Sequence, residues 1–140
     1  ADAVYLAGQS FGMRSAADNF TVEELYEAAK YTHERGKKLY LTLNTMPRGD
    51  EYAPLREFLS EIKDAGIDAF IVADLGVMAT IREILPEMEI HVSTQTSIVS
   101  PASAKAWAAA SSALRAAHRA RFNRAMTIPS RASGIKWGWP

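Results

Sequence analysis

One stretch restricts the fold more than any other: the run Gly66-Ile67-Asp68-Ala69-Phe70-Ile71-Val72-Ala73-Asp74-Leu75-Gly76. Its short apolar centre, bounded by glycine on one side and by Asp74 and Gly76 on the other, reads as a strand buried on both faces. Strands of that kind belong to parallel sheets, which require a crossover connection between neighbours. The chain opens with a near copy, Asp2-Ala3-Val4-Tyr5-Leu6-Ala7-Gly8, and one further helix-strand-helix passage lies between the two copies. That spacing predicts a repeated β/α unit.

The rest of the chain fits the same alternation. Residues 2–7 read as the first strand, and the loop after it runs to Asn19. Thr21 with Glu24 three residues on forms a capping box, and Leu25, Ala28, Ala29 and Thr32 recur at helical spacing until Gly36. Residues 38–43 form a second strand that ends in a turn around Pro47 and Gly49. A second helix is expected over residues 52–65, carried by Leu55, Phe58, Leu59 and Ile62 and closed by Gly66. After the central strand, residues 77–85 read as a short helix stopped by Pro86, and residues 89–93 as a fourth strand. Pro101 suits the first turn of a last helix that holds Ala104, Trp107 and Ala108. The predicted class is α/β, built of parallel β/α repeats, a partial TIM-barrel-like domain with an irregular or helical C-terminal tail. The pattern alone leaves open whether such a sheet closes into a barrel.

Composition narrows the chemistry. The chain has 140 residues and no cysteine, which excludes disulfides, thiolate nucleophiles and cysteine-ligated zinc or iron-sulfur clusters within these residues. A complete barrel needs roughly 250 residues, so a fragment of one, with residues missing upstream, is the expectation. No apolar run reaches the ~20 residues of a membrane span and no signal-peptide pattern is visible, so a cytoplasmic protein is expected. The zero net charge hides a split: residues 1–89 carry 9 basic against 16 acidic side chains, and the remainder carries 7 basic and no acidic ones.

Several segments together carry a likeness: Asp2-Ala3-Val4-Tyr5-Leu6, Phe11-Gly12-Met13-Arg14, Asn19-Phe20-Thr21, Leu43-Asn44-Thr45, the run from Asp68 to Gly76, and His91-Val92-Ser93-Thr94-Gln95. In this order they resemble the N-terminal, barrel-like domain of the U32 peptidase family, the collagenase-like proteases, over about residues 1–108. The resemblance implies an enzyme of peptide hydrolysis or, as in other members, of hydroxylation of tRNA or rRNA bases or of the ubiquinone ring. It implies a peptide or RNA substrate. It also implies an iron-sulfur cluster in the full-length protein, held by cysteines beyond this sequence. The isolated piece is expected to be inactive, and its open sheet edges to invite self-association.

The tail departs from the family pattern. Where a Leu-Gly-Ala helix end, a strand and an Arg-Glu-Leu-Ser segment are usual, this chain has Ser111-Ser112-Ala113-Leu114-Arg115 and an Arg/Ala-rich continuation. The expected division is therefore residues 1–109 as the partial barrel and residues 110–140 as a divergent basic tail. A frame slip would explain it: one permitted coding of residues 126–137, read two bases later, spells an amphipathic helix start, and the gene's nucleotide sequence decides the matter. In that case the tail packs poorly and exposes Trp137 and Trp139. A non-catalytic binding module would instead use Arg115, Arg119, Arg121 and Arg124 as phosphate contacts.

In barrel enzymes the working residues stand at the carboxyl ends of strands. Here those positions hold Gln9, Arg14, Asn44, Asp74, Thr94 and Gln95. Asp74 is the candidate acid/base, or else the cap of the following helix. Arg14 could grip an anionic group through its fork, or be a surface arginine. Asn44 could orient a ligand carbonyl or phosphate, or serve the turn. Thr94 and Gln95 suit substrate positioning, or satisfy loop backbone, and Gln9 completes the binding set. His91 alternates with Val92 and is expected on a different face, and His33 on the solvated side of the first helix. No Ser-His-Asp spacing, His-Glu-x-x-His motif or glycine-rich phosphate loop occurs, and no metal ligands are assigned.

Overall fold

A computed structural model describes residues 1–12 and 19–126. Its elements run β1 (Ala3–Ala7), α1 (Val22–His33), β2 (Lys38–Leu43), α2 (Tyr52–Glu61), β3 (Ala69–Val72), α3 (Leu75–Ile84), β4 (Glu89–Val92) and α4 (Pro101–Met126). The strands form one sheet in the order β1-β2-β3-β4, with every neighbouring pair parallel. Strand order never reverses, so successive right-handed crossovers lay all the helices on the same side. That is the winding of a β/α barrel, whereas a doubly wound sheet needs a reversal point.

The alternation along β2 shows why one face is covered. Leu39, Leu41 and Leu43 are fully buried, while Lys38, Tyr40 and Thr42 are not. Leu41 and Leu43 join Phe70 and Val72 of β3 against Leu25 of α1, Leu55, Phe58 and Leu59 of α2, and Val77, Met78 and Ile81 of α3. Each fully buried leucine contributes about 1.5–3 kcal/mol relative to an exposed one. The opposite face carries no helix among the described residues. Ile71, expected to be buried on the strength of its apolar neighbours, lies on that face and is only half covered.

Local signals set the boundaries. Thr21 Oγ1 accepts from the Glu24 N–H at 3.2 Å and the Glu24 carboxylate accepts from the Thr21 N–H at 2.8 Å, the capping box that starts α1. Helix α2 stops at Glu61, four residues short of the expected end. The chain must reverse there to enter β3, which it does through a turn closed by Ala65 N–H on Ile62 O and through Gly66 at φ +81°.

Helix α4 is continuous from Pro101 to Met126, which resolves the tail's expected "irregular or helical" character as helical across the described residues. Alanine-rich sequence favours this state. One narrow stripe of it, Trp107, Ala110 and Leu114, rests against the core. Trp137 and Trp139 lie outside the described residues. No described helix is long and apolar enough to cross a membrane.

Candidate functional site

The helix-free face carries the cavity that the strand-end residues Asn44, Thr94 and Gln95 line. Register aligns Tyr5 with Tyr40, and Tyr40 with Ala69 and then Glu89; the next row towards the carboxyl ends holds Ala7, Thr42, Ile71 and His91. Thr42 Oγ1 donates to Leu6 O at 3.1 Å, tying the row to β1. Above these rows a cavity of about 560 Å³ opens, lined among others by Tyr5, Asn19, Thr42, Asn44, His91 and Gln95. Its size suits a small ligand and its lining mixes aromatic surface with amide and hydroxyl groups.

Three of the predicted residues meet here. Asn44 follows β2, while Thr94 and Gln95 belong to the turn after β4, and all three line this cavity. Asn44 and Gln95 also line an adjoining cavity of about 660 Å³ with Phe11, Met46 and Glu51, so they stand on the rim between the two. The turn that presents Gln95 is built by Ser93. Its N–H donates to Val72 O at 2.7 Å, its Oγ accepts from Gln95 N–H at 3.3 Å, and its carbonyl accepts from Thr96 Oγ1 at 2.8 Å.

Asp74 stands at the same end of the sheet, but its Oδ1 is committed elsewhere. It accepts from the Val77 N–H at 2.9 Å, as the N-cap of α3, and from Tyr52 Oη at 3.0 Å. Of the two sequence readings the cap is the one the geometry displays. Burial first, then the hydrogen bond to Asp74 and its negative charge, push the Tyr52 phenol above its ordinary value. Gly76 permits the close approach, since a Cβ there would collide with Tyr52 Oη.

Gln9 goes to a different place. It lines a cleft of about 740 Å³ with Phe20, Glu23, Phe58 and Glu61, on the helix side. The backbone bonds Gln9 N–H to Phe20 O and Phe20 N–H to Ala7 O, both 3.0 Å, hold it there. Phe11 adopts φ +65°, a costly conformation for an aromatic residue, with its ring 5.9 Å from that of Phe58. Arg14 lies outside the described residues.

One histidine differs from expectation. His91, expected on another face, lines the main cavity because β4 register pairs it with Ile71. Its Nε2 is 2.8 Å from Glu89 Oε1, and its ring meets Tyr40 edge-on with centroids 4.7 Å apart. That histidine's hydrogen bond holds the Glu89 carboxyl below its usual range, against a small desolvation effect. His33 is exposed on the first helix, as expected, and places Nε2 2.8 Å from Asp68 Oδ2. Partial burial would raise the Asp68 carboxyl, but the His33 bond and the Leu39 N–H at 2.7 Å outweigh it and lower it. This pair is at the amino end of the strands, where barrels keep stabilising rather than catalytic groups.

Alternation could have located Tyr40 and Thr42: once Leu39, Leu41 and Leu43 are assigned to the helix side, the residues between them must face the other way. No group of three or more acidic or histidine side chains among the described residues could hold a metal ion. On α4, Arg119 pairs with Glu87 at 3.6 Å, both ends largely exposed.

A model of peptidase family U32 matches residues 1–116. The tRNA hydroxylation protein P1 of Bacillus subtilis is 40% identical over 98 residues, which cover 70% of this chain and 23% of that protein. A 23S rRNA 5-hydroxycytidine synthase of Escherichia coli is 37% identical, over 70% of this chain and 14% of its own. A protein named collagenase from Porphyromonas gingivalis is 37% identical, over 70% and 23%. A solved U32 peptidase structure superposes with a TM-score of 0.60 at 18% identity, over 81% of this chain and 47% of that one, a likeness of fold. The chain spans about a quarter or less of these curated relatives' length.

Proposed function

The chain belongs to peptidase family U32, and we propose that it forms the substrate-facing part of an RNA base-hydroxylating member rather than of a protease. The observation that carries this reading is the cavity on the helix-free face, whose aromatic, amide and hydroxyl groups (Tyr5, Asn44, Gln95, Thr94) match the chemistry by which unstacked bases are held. Similarity to proteins named for tRNA and rRNA hydroxylation points the same way. Such a substrate places the work in the cytoplasm. Proteolysis, the reading attached to the family's name and to the collagenase-named relative, lacks a visible nucleophile. The chain has no cysteine, and among the described residues no serine or threonine hydroxyl is hydrogen-bonded to a histidine.

An iron-sulfur cluster would supply electron transfer in such an enzyme, but its thiolate donors are absent from all 140 residues. None of these residues fits it, and no step is routed through it. What these residues do is accept a base: Asn44 and Gln95 hydrogen-bond its edge, and the Ser93 turn holds Gln95 in place. Deleting the gene and analysing RNA nucleosides by mass spectrometry tests the proposal. Loss of a pyrimidine bearing one added oxygen is expected. An unchanged nucleoside profile, together with cleavage of gelatin by the purified gene product, would reverse it in favour of the peptidase.

A further inference from the structure

Interior positions of closed β/α barrels are dominated by branched aliphatic side chains. On this helix-free face Ile71 stands between Thr42 and His91 in one row, above Tyr40, Ala69 and Glu89 in the next, while Leu6 and Val92 also line the cavity. A polar surface of this kind needs partners of its own when it is enclosed. His91 is its best-defined member. Two contacts fix the ring: Nε2 with Glu89 Oε1 at 2.8 Å, and the edge-on packing against Tyr40 at an interplanar angle of 76°. A carboxylate can only accept, so the hydrogen between them sits on Nε2. With the ring in its neutral Nε2–H tautomer, Nδ1 carries a lone pair, and none of the hydrogen bonds formed among the described residues reaches that atom.

We propose that Nδ1 of His91 accepts a hydrogen bond from an N–H group on the edge of a pyrimidine base bound in this cavity, and that Glu89 is the positioning residue that selects the Nε2–H tautomer of the neutral ring. Tyr5, lining the same cavity, supplies the ring on which the base stacks. Both natural pyrimidines qualify, through the N3–H of uracil or the exocyclic amine of cytosine. A ligand lacking such a donor leaves the lone pair desolvated and unpaired. This inference rests on the RNA-base reading given above.

The test is calorimetric binding of uridine 5′-monophosphate and of its N3-methylated analogue to the purified gene product. The wild type is expected to prefer the unmethylated nucleotide by about ten-fold, the effect of one unpaired acceptor. His91→Leu should abolish the preference. His91→Asn, whose amide oxygen can stand near the place of Nδ1, should keep part of it, and Glu89→Ala, which frees the tautomer, should narrow it. Tyr5→Leu should weaken both ligands alike. Equal affinity of the wild type for both nucleotides, binding of neither, or a preference that survives His91→Leu would each overturn the inference. The wild-type comparison needs no variant to fold. Nucleoside analysis of the deletion strain makes no reference to His91, so hydroxylation lost on deletion alongside an absent N3-methyl preference would sink this inference while leaving the proposed function standing.

Discussion

Replacing Asp74 by alanine removes two hydrogen bonds at once, because the same Oδ1 accepts from the Val77 N–H and from Tyr52 Oη. Loss of an N-cap costs about 1 kcal/mol, and loss of the bond to a part-buried phenol about another 1 kcal/mol. The sum, about 2 kcal/mol, corresponds to a fall in Tm of about 8 °C for a domain of this size. Asp74→Asn keeps an oxygen in the same place and should lose less than about 0.5 kcal/mol. Tyr52→Phe should cost about 1 kcal/mol, and the double variant Asp74→Ala/Tyr52→Phe should show a coupling of similar size, because each partner is idle without the other. Urea unfolding followed by circular dichroism measures all four. An Asp74→Ala protein as stable as the wild type, or an Asn variant as damaged as the Ala one, would refute the cap. The same pair separates structure from chemistry: if capping is the whole role of Asp74, the stable Asn variant retains the proposed RNA hydroxylation, whereas a catalytic carboxylate would be lost in it.

Three further expectations follow from the packing. Asp68 has its carboxyl lowered in the folded state, so its contribution to stability is complete above the unfolded value of about 4 and fades as pH falls through the folded one. The stability gap between wild type and Asp68→Asn, measured by chemical unfolding, should therefore be widest at neutral pH and shrink in acid; a gap independent of pH would contradict the pairing with His33. Arg82 is almost fully buried, with Nη1 donating to the carbonyls of Pro86 and Met88. Arg82→Met should destabilise by about 1–3 kcal/mol because both acceptors lose their donor; a more stable variant would show that the guanidinium, whose Nε and Nη2 lack partners, is a net burden. The free edges of β1 and β4 should drive concentration-dependent association in light scattering, relieved by Val4→Lys on the exposed edge; a monomer at all concentrations would oppose this.

The order of elements and the parallel sheet could be read from the chain because each strand is a short apolar run followed by a capped, amphipathic helix. Thr21 and Glu24, and the Leu55, Phe58, Leu59 pattern, are local signals that tertiary structure had no reason to override. The rim residues Asn44, Thr94 and Gln95 followed from strand ends alone. What could not be read was the direction of individual side chains. Gln9 stands after β1 as predicted, yet the Gly8 bridge to Phe20 turns it to the helix side. His91 needed the β3–β4 register, a non-local fact, to be placed beside Ile71. Asp74 was ambiguous because a cap and an acid/base group begin with the same residue type at the same strand end.

The helix-free face is the proposed binding place of a pyrimidine nucleotide. Titrating uridine 5′-monophosphate into isotope-labelled protein and following backbone amide shifts by NMR tests that directly. Shifts concentrated at Thr42, Ile71, His91 and Gln95 are predicted. Shifts confined to Arg115 and Arg119 on α4, or to the cleft of Gln9 and Phe58, would contradict it.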